Sequence, residues 1–453
     1  MLTNPRSVIT VVGPAGAGKT RALAVAVAAW QSAGVAVFGA APSASAAQEL
    51  QDGAGLKSDT LHKLVDEHSI KQRDGQGPPG REWDLPAGSV VVIDEAGMVD
   101  TRLLHQYAQI AQTKNWRTIL VGDHRQLDSV DAGGMFAELV HDLDVVTVEL
   151  DVLHRFEHAW EADATLALRN GDATVVDTYN QRGRIHGHTD QAAAIEAVAD
   201  EAFAGIVEGR DVLIMAPTNK VVDELNATIS DRLLSSRWLD ADDQIEIAGH
   251  VFHPGQPVVK RANNRTLTYG PDGQEWVRNG DRWTVNAGTR DELYLTNRDN
   301  GHRHAIPAEY VSAGNLTVDY VSTINRAQGA TVDEAHLIID DRTNAAHLYV
   351  GMTRGRHANH VHAAPSAFDP DLHGPAEIDG DWTPASAVAA ATERQPGEFS
   401  AIARRRELRG CEILTGEEQR SLDSDTTAVV DPVAAAMRRL GRLRSRPTQG
   451  PGR

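Results

Sequence analysis

The sequence predicts an α/β protein: two lobes built on parallel sheets, the second interrupted by a small all-β module. Three observations predict it. Short β-branched runs alternate with helical patterns in two separate series, the pattern of parallel strands covered on both faces. A Gly-rich loop joins the first run to the first helix. Between the two parts of the second series lies a stretch of short strands punctuated by turn dipeptides, which reads as all-β.

In order, residues 7–12 (SVITVV) predict a buried strand, 19–33 a helix and 35–40 a second strand. A second helix begins at 43–50, and 89–93 (SVVVI) and 118–121 (TILV) are further strands, each ending at charged residues. The grammar restarts at 211–215 (DVLIM), followed by a helix over about 221–236. It resumes with strands at 317–321, 335–340 and 359–363. The interruption, 248–314, holds Pro254-Gly255, Asn279-Gly280-Asp281 and Asp299-Asn300-Gly301, turn chemistry between strands. These boundaries give a first lobe over 1–165, a second over 175–247 plus 315–365, and a tail over 366–453, partly disordered, rich in Pro, Gly, Asp and Arg.

Composition narrows the function classes. At 453 residues there is room for two or three cores. Hydrophobic residues at 41% and charged residues at 24% are ordinary for a globular chain. No run approaches the ~20 apolar residues of a membrane span, and the start lacks the basic-then-apolar order of a signal peptide. A cytoplasmic location is expected. The single cysteine, Cys411, excludes an internal disulfide and a thiolate zinc cluster. A net charge of −19 argues against a protein that coats nucleic acid through a basic face, though a local cleft can oppose the global sign.

Ligands of parallel sheets bind at the carboxyl ends of strands, and the motifs begin there. Gly13, Pro14, Ala15, Gly16, Ala17, Gly18, Lys19 and Thr20 spell GPAGAGKT between a strand and a helix. Small residues let backbone N–H groups wrap a phosphate chain at a helix N-terminus. Lys19 would reach the β- and γ-phosphates and Thr20 would ligate Mg2+. Asp94 and Glu95 (DEAG) follow the strand VVVI. Asp94 suits the metal's water shell and Glu95 the polarising of an attacking water. Adjacent parallel strands would bring Asp94 and Thr20 to one metal. Gln126, in GDHRQL after TILV, is placed to sense the γ-phosphate or orient water. ATP and Mg2+ are the cofactors implied. Taken singly, Asp94-Glu95 reads as a solvated loop or helix cap and Gln126 as a polar loop; three such loops at successive strand tips favour the site.

The series GPAGAGKT, DEAG, GDHRQL and Arg155 in LHRF, followed by VSTINRAQGAT at 321–331 and LYVGMTRGR at 348–356, resembles the superfamily 1B helicases, the RecD-like branch. It is most similar to the helicase half of actinobacterial conjugative relaxases, over residues 8–364. The resemblance implies two RecA-like P-loop NTPase lobes, ATP·Mg2+ between them, and an SH3-like insert marked by NGDRWTV at 279–285. It implies arginine fingers at Arg155 and Arg354, delivered from opposite walls of the cleft, and assigns Gln328 and Gly329 to nucleotide coupling. Isolated arginines are more often surface ion pairs; the motif context reverses that preference here. Pro42 and Ser43 in APSASAA and Thr60 and His62 in TLHKL match two DNA-contacting blocks. With Thr218, Asn219 and Thr323 they would hold the phosphates of single-stranded DNA. The activity implied is ATP-dependent 5′→3′ translocation or unwinding in conjugative transfer or recombination, with a relaxase or nuclease subunit as the partner. A DNA-binding adaptor with impaired ATPase is the rival expectation.

Relatives of this type carry a glutamine-bearing segment ahead of the P-loop. Here residues 1–6 precede the first strand, so base selectivity stays open and a truncated relaxase–helicase is admitted. The region 69–88 is too short and too rich in Gly, Pro and charge to predict a firm strand-splitting pin. No relaxase nucleophile is present, so nicking is not expected. His302/His304 and His357/His360/His362 have spacings that suit a metal on a strand. Nineteen histidines make such spacings common, and both sets are set aside. The run Arg404–Arg406 and the arginines from 438 to 446 could touch nucleic acid but read rather as solvated faces of helices or a loose tail.

Overall fold

The computed structural model describes residues 7–73, 78–127, 133–141, 145–270, 273, 275–298, 300–365 and 382–394. Residues 1–6, Cys411 and the arginine groups beyond 400 lie outside the described residues. The chain packs into two compact units that divide between His154 and Arg155.

The first unit runs β1 (Val8–Val12), α1 (Lys19–Ser32), β2 (Val37–Ala41), α2 (Ala44–Ala54), β3 (Ser58–Thr60) and α3 (Leu61–Arg73). It continues with β4 (Val90–Ile93), a 3-10 turn (Ala96–Met98), α4 (Thr101–Lys114), β5 (Arg117–Gly122), α5 (Met135–Val140) and β6 (Val146–Glu149). The sheet order is β3-β2-β4-β5-β1-β6 and every pairing is parallel. The run VVVI shows why: Val91 and Ile93 enter one core with Phe38, Leu104 and Tyr107, while Val90 and Val92 enter the opposite core with Leu23, Val27 and Trp30. Each such side chain contributes about 1.5–3 kcal/mol when fully buried. One expectation is corrected. β1 and β4 are not adjacent; β5 stands between them, so any convergence of their loops spans three strand tips.

The second unit begins with α6 (Ala159–Arg169), α7 (Val175–Gln181), β7 (Ile185–Gly187), α8 (Gln191–Glu208), β8 (Val212–Ala216) and α9 (Asn219–Ser235). Then come β9 (Ile245–Ile247), β10 (His250–Phe252), β11 (Pro257–Lys260), β12 (Asn264–Tyr269), β13 (Glu275–Val277), β14 (Arg282–Gly288), β15 (Glu292–Asn297) and β16 (Arg303–Pro307). After α10 (Ala308–Ser312) and β17 (Leu316–Val318), the unit closes with β18 (Val321–Thr323), α11 (Ile324–Ala327), β19 (Val332–Ile338), α12 (Ala345–Gly351), β20 (Gly355–Ala363) and α13 (Pro384–Glu393). Its parallel sheet has the order β18-β8-β19-β20-β7. Between β8 and β18 in sequence sits an antiparallel sheet, β16-β15-β14-β11-β17, with two short ladders, β9-β10 and β12-β13. It has its own core around Trp283, Val285, Leu293, Leu295 and Ile306.

Residues 317–321, expected as one strand of the lobe, are two. β17 pairs antiparallel with β11 and β18 pairs parallel with β8. The break falls at Asp319, which is 5% exposed, donates its N–H to Pro257 O and accepts from Arg282 Nε at 2.7 Å. A buried carboxylate with those partners fixes a turn out of one sheet and into the other. No helix among the described residues is long and apolar enough to cross a membrane.

Candidate functional site

The Gly-rich loop leaves β1 at its carboxyl end. Gly13 N–H bonds Gly122 O at 3.2 Å, and Ala17 N–H closes a turn on Pro14 O at 3.2 Å. Gly16 and Gly18 have φ of 79° and 70°, left-handed values that a side chain resists. Gly18 is the N-cap of α1 and no side chain caps that helix, so its first N–H groups are left for an external acceptor. Lys19 Nζ donates to Gly13 O at 2.8 Å and Pro14 O at 3.3 Å, folding the ammonium over the loop.

Thr20, one residue further, is set from outside the motif. A Cβ placed on Gly53 of α2 would lie 2.5 Å from Thr20 Cγ2. Glycine there lets α2 pack onto the start of α1 and holds the Thr20 methyl on that side. The sequence signal was a glycine inside a helical pattern, which costs about 1 kcal/mol relative to alanine and therefore wants a packing reason.

Asp94 follows β4, donating its N–H to Ala40 O and accepting from Glu95 N–H at 2.9 Å. Burial, then the neighbouring Glu95 carboxylate, push Asp94 up to about 6, while the Glu95 N–H and Lys19 act the other way. Glu95 has φ 47° and ψ 43°, a left-handed conformation unusual for a side-chain-bearing residue and common at functional turns. Gln126 and Asp123 are buried in the loop after β5, where Gln126 N–H bonds Asp123 O and Arg125 N–H bonds Asp123 Oδ1. This loop packs on the Asp94-Glu95 turn through glycine: a Cβ on Gly122 would approach Ala96 N to 3.3 Å and Gly97 N to 3.4 Å. The P-loop, the acidic pair and the glutamine loop thus leave β1, β4 and β5, three successive strands of one sheet.

In the second unit Arg155 Nη1 donates to Thr353 O at 2.5 Å. Arg354 is 1% exposed; its Nε donates to Val350 O at 2.8 Å, Nη2 to Thr353 Oγ1 at 2.7 Å and Nη1 to Ala330 O at 3.4 Å. The expectation of opposite walls is corrected: both arginines belong to this unit and share Thr353 as an acceptor. The Ala330 contact joins Arg354 to the turn of Gln328, the C-cap of α11, and Gly329, whose φ is 89°.

The hydroxyls expected to meet nucleic acid share one local role. Ser43, Thr60, Thr218 and Thr323 each follow or end a strand and accept an N–H from the next helix, of Ala46, Lys63, Val221 and Arg326 respectively, at 3.1–3.4 Å. Ser43, His62 and Asn219 are exposed, and Pro42, Thr60, Thr218 and Thr323 are partly buried. Sequence reading did not foresee these caps, although serine and threonine before a helical run are the usual signal.

A family model described as an AAA domain matches residues 1–190. A probable conjugal transfer protein TraA of Sinorhizobium fredii is 29% identical over 364 residues, covering 80% of this chain and 31% of that protein. The RecBCD enzyme subunit RecD of Mycolicibacterium smegmatis is 28% identical over 358 residues, covering 70% of this chain and 60% of that subunit. Among solved structures, the Pif1 helicase from Bacteroides, in complex with ADP-AlF3 and ssDNA, is similar with a TM-score of 0.52 at 15% identity, over 91% of this chain and 95% of that one. That likeness is one of fold. The chain spans less than two thirds of the length of either of these relatives.

Proposed function

We propose, from its similarity to conjugal transfer proteins and RecD subunits, that this chain is an ATP-driven motor of the RecD-like, superfamily 1B type acting on single-stranded DNA. The observation that carries the reading is the gathering of an uncapped helix N-terminus, a lysine, a half-buried acidic pair and a glutamine loop at successive tips of one parallel sheet. The residues fit ATP·Mg2+. Two left-handed glycines open the loop, α1 presents free N–H groups to an anion, and a carboxylate strained upward by its neighbour is relieved by a divalent cation. When bound, ATP·Mg2+ supplies the phosphoanhydride and the counter-cation.

Lys19 would exchange Gly13 O and Pro14 O for phosphate oxygens, acceptors that carry more charge. Thr20 and Asp94 would hold the cation. Glu95, turned by its left-handed backbone, would accept a proton from the attacking water, and Gln126 would orient that water. Arg155 and Arg354 would stabilise charge in the transition state. For Arg354 this requires exchanging its contacts with Thr353 and Ala330, which couples it to Gln328 and Gly329. The helix starts capped by Ser43, Thr60, Thr218 and Thr323, with Pro42, His62 and Asn219 beside them, would form the phosphate track.

We read the antiparallel insert as SH3-like, movement as 5′→3′, and the setting as conjugative transfer or recombination alongside a relaxase or nuclease subunit. The test is ATP hydrolysis by the purified chain with and without single-stranded DNA. Stimulated turnover that Lys19→Ala abolishes is expected. DNA binding with no turnover, unchanged by Lys19→Ala, would make the chain an adaptor.

A further inference from the structure

The parallel register of the second sheet sets His336 of β19 opposite His360 of β20, and His362 opposite His186 of β7. Strand alternation puts Glu334 on the same face as His336, and His360 on the same face as His362. Glu334 Oε1 lies 3.0 Å from His336 Nε2 and 3.7 Å from His360 Nε2. The two imidazoles stack with centroids 4.8 Å apart and planes 10° from parallel. One donor atom from each of the three residues lies within 4.8 Å of the other two, and the side chains of His336, His360 and Glu334 are 3%, 14% and 21% exposed.

We propose that Glu334, His336 and His360 form a binding site for a divalent transition-metal cation of the zinc type, fastening β19 to β20. Zinc bonded at about 2.0–2.2 Å holds tetrahedral ligands roughly 3.3 Å apart, and the distances of 3.0 and 3.7 Å from Glu334 Oε1 bracket that edge. Two imidazoles and one carboxylate, with no thiolate, suit a borderline ion better than calcium or magnesium, which take oxygen ligands.

The surroundings match as well. Metal-binding histidines are oriented through their other ring nitrogen. Here His360 Nδ1 is 2.9 Å from His186 Nε2, and His336 Nδ1 is 3.0 Å from His362 Nε2, whose Nδ1 is 3.1 Å from His188 Nε2. His360 Nε2 accepts Nη1–H of Arg184 at 2.9 Å, so a neutral His360 carries its proton on Nδ1, the tautomer that ligation through Nε2 requires. For His336, ligation through Nε2 moves its proton to Nδ1, to be donated to His362. The His362 proton then moves to Nδ1 and is donated to His188 Nε2, and the proton of His188 passes to its own Nδ1. Every ring stays neutral throughout. Two guanidinium groups currently satisfy the site: Arg184 on His360, and Arg210 paired with Glu334. A metal ion would displace Arg184 from the lone pair it holds.

The test is titration of the chelator-stripped full chain with Zn2+ alone, followed by calorimetry and by melting temperature. One saturable equivalent is expected, with a rise in melting temperature as Zn2+ binds. His336→Ala and His360→Ala should each weaken binding at least ~10-fold, and His357→Ala, whose side chain is 53% exposed, should leave it unchanged. Arg184→Met should tighten binding, a gain that mere structural damage does not produce. Absence of saturable binding, affinity unchanged from the parent in both ligand variants, or weaker binding in a folded Arg184→Met overturns the site. If His336→Ala fails to fold by circular dichroism, His360→Ala and Arg184→Met decide it.

Discussion

Replacing Gly53 by alanine should damage turnover far more than stability. The added Cβ would stand 2.5 Å from Thr20 Cγ2, about 1 Å inside the optimal carbon–carbon separation. Two responses are open. Helix α2 retreats by about that distance, or Thr20 rotates to its next staggered rotamer, which carries its hydroxyl roughly 2 Å away. Overpacking costs ~1–3 kcal/mol, while alanine in place of helical glycine returns ~0.5–1 kcal/mol. The net loss of stability should therefore stay within ~2 kcal/mol. A displacement of about 1 Å at a group proposed to hold the metal can cost ~100-fold in rate. The assay is a double-mutant cycle on Mg2+-dependent ATP hydrolysis, with unfolding followed in parallel. Gly53→Ala should lower kcat by ~10–100-fold. Thr20→Ser keeps the hydroxyl but lacks the methyl that clashes, so adding it to Gly53→Ala should restore most of the activity, a coupling of ~1–3 kcal/mol. Turnover of Gly53→Ala within twofold of the parent, or failure of Thr20→Ser to rescue, refutes the argument that Gly53 positions Thr20.

Lys260 in the insert is fully buried, with Nζ 3.5 Å from the Trp283 ring centroid and 3.2 Å from His304 Nδ1. Burial lowers it to about 7, against the pull of Asp281. The unfolded chain then binds more protons between pH ~7 and ~10.5, so this residue adds stability as pH rises through that window and loses it as pH falls through about 7. Chemical unfolding followed by tryptophan fluorescence at pH 6 and 9.5 should show a difference of a few kcal/mol (~1.4 per unit) that Lys260→Met removes; equal pH dependence in the two proteins counts against it. At the proposed phosphate track, Ser43→Ala should destabilise α2 by ~1 kcal/mol and Ser43→Gly by only a few tenths. If the hydroxyl also meets phosphate, both should weaken single-stranded DNA binding by the same ~3–10-fold, read by fluorescence anisotropy; affinities that follow the stabilities instead would make Ser43 a helix cap alone.

The two parallel sheets were legible because strands buried on both faces read as continuous β-branched runs, as VVVI does. The phosphate loop was legible because its chemistry is local, eight consecutive residues between a strand and a helix. Strand order was not, since Val8–Val12 and Val90–Ile93 carry no mark of the strand at Arg117–Gly122 that separates them. The edge strands Ser58–Thr60, Val146–Glu149 and Ile185–Gly187 are short and only partly buried, so their patterns are weak. Leu316–Val318 and Val321–Thr323 ran together because alternation alone cannot show that Asp319 turns the chain between sheets. The histidine face was half visible: His360 and His362 share a strand face by spacing, but Glu334, His336 and His186 join them only through pairing of β19, β20 and β7.

Thr353 shows how far contact chemistry departs from motif order. In sequence Arg155 and Arg354 are almost two hundred residues apart and resemble separate motifs, yet one accepts its geometry from the Thr353 carbonyl and the other from the Thr353 hydroxyl. Arg354 also reaches Ala330 O, and Val332 N–H returns a bond to Arg354 O at 3.1 Å. A guanidinium buried this deeply retains its charge, so each carbonyl it holds contributes more than a neutral hydrogen bond would. Any ligand that draws Arg354 outward must offer acceptors at least as strong, which anionic phosphate oxygens do and water does not match in a buried site. Releasing Arg354 would leave Ala330 O and Thr353 Oγ1 without that donor, and the turn of Gln328 and Gly329 would have to adjust. The arginine and the turn are therefore two ends of one hydrogen-bonded element, and a displacement at one end has a short covalent and hydrogen-bonded route to the other.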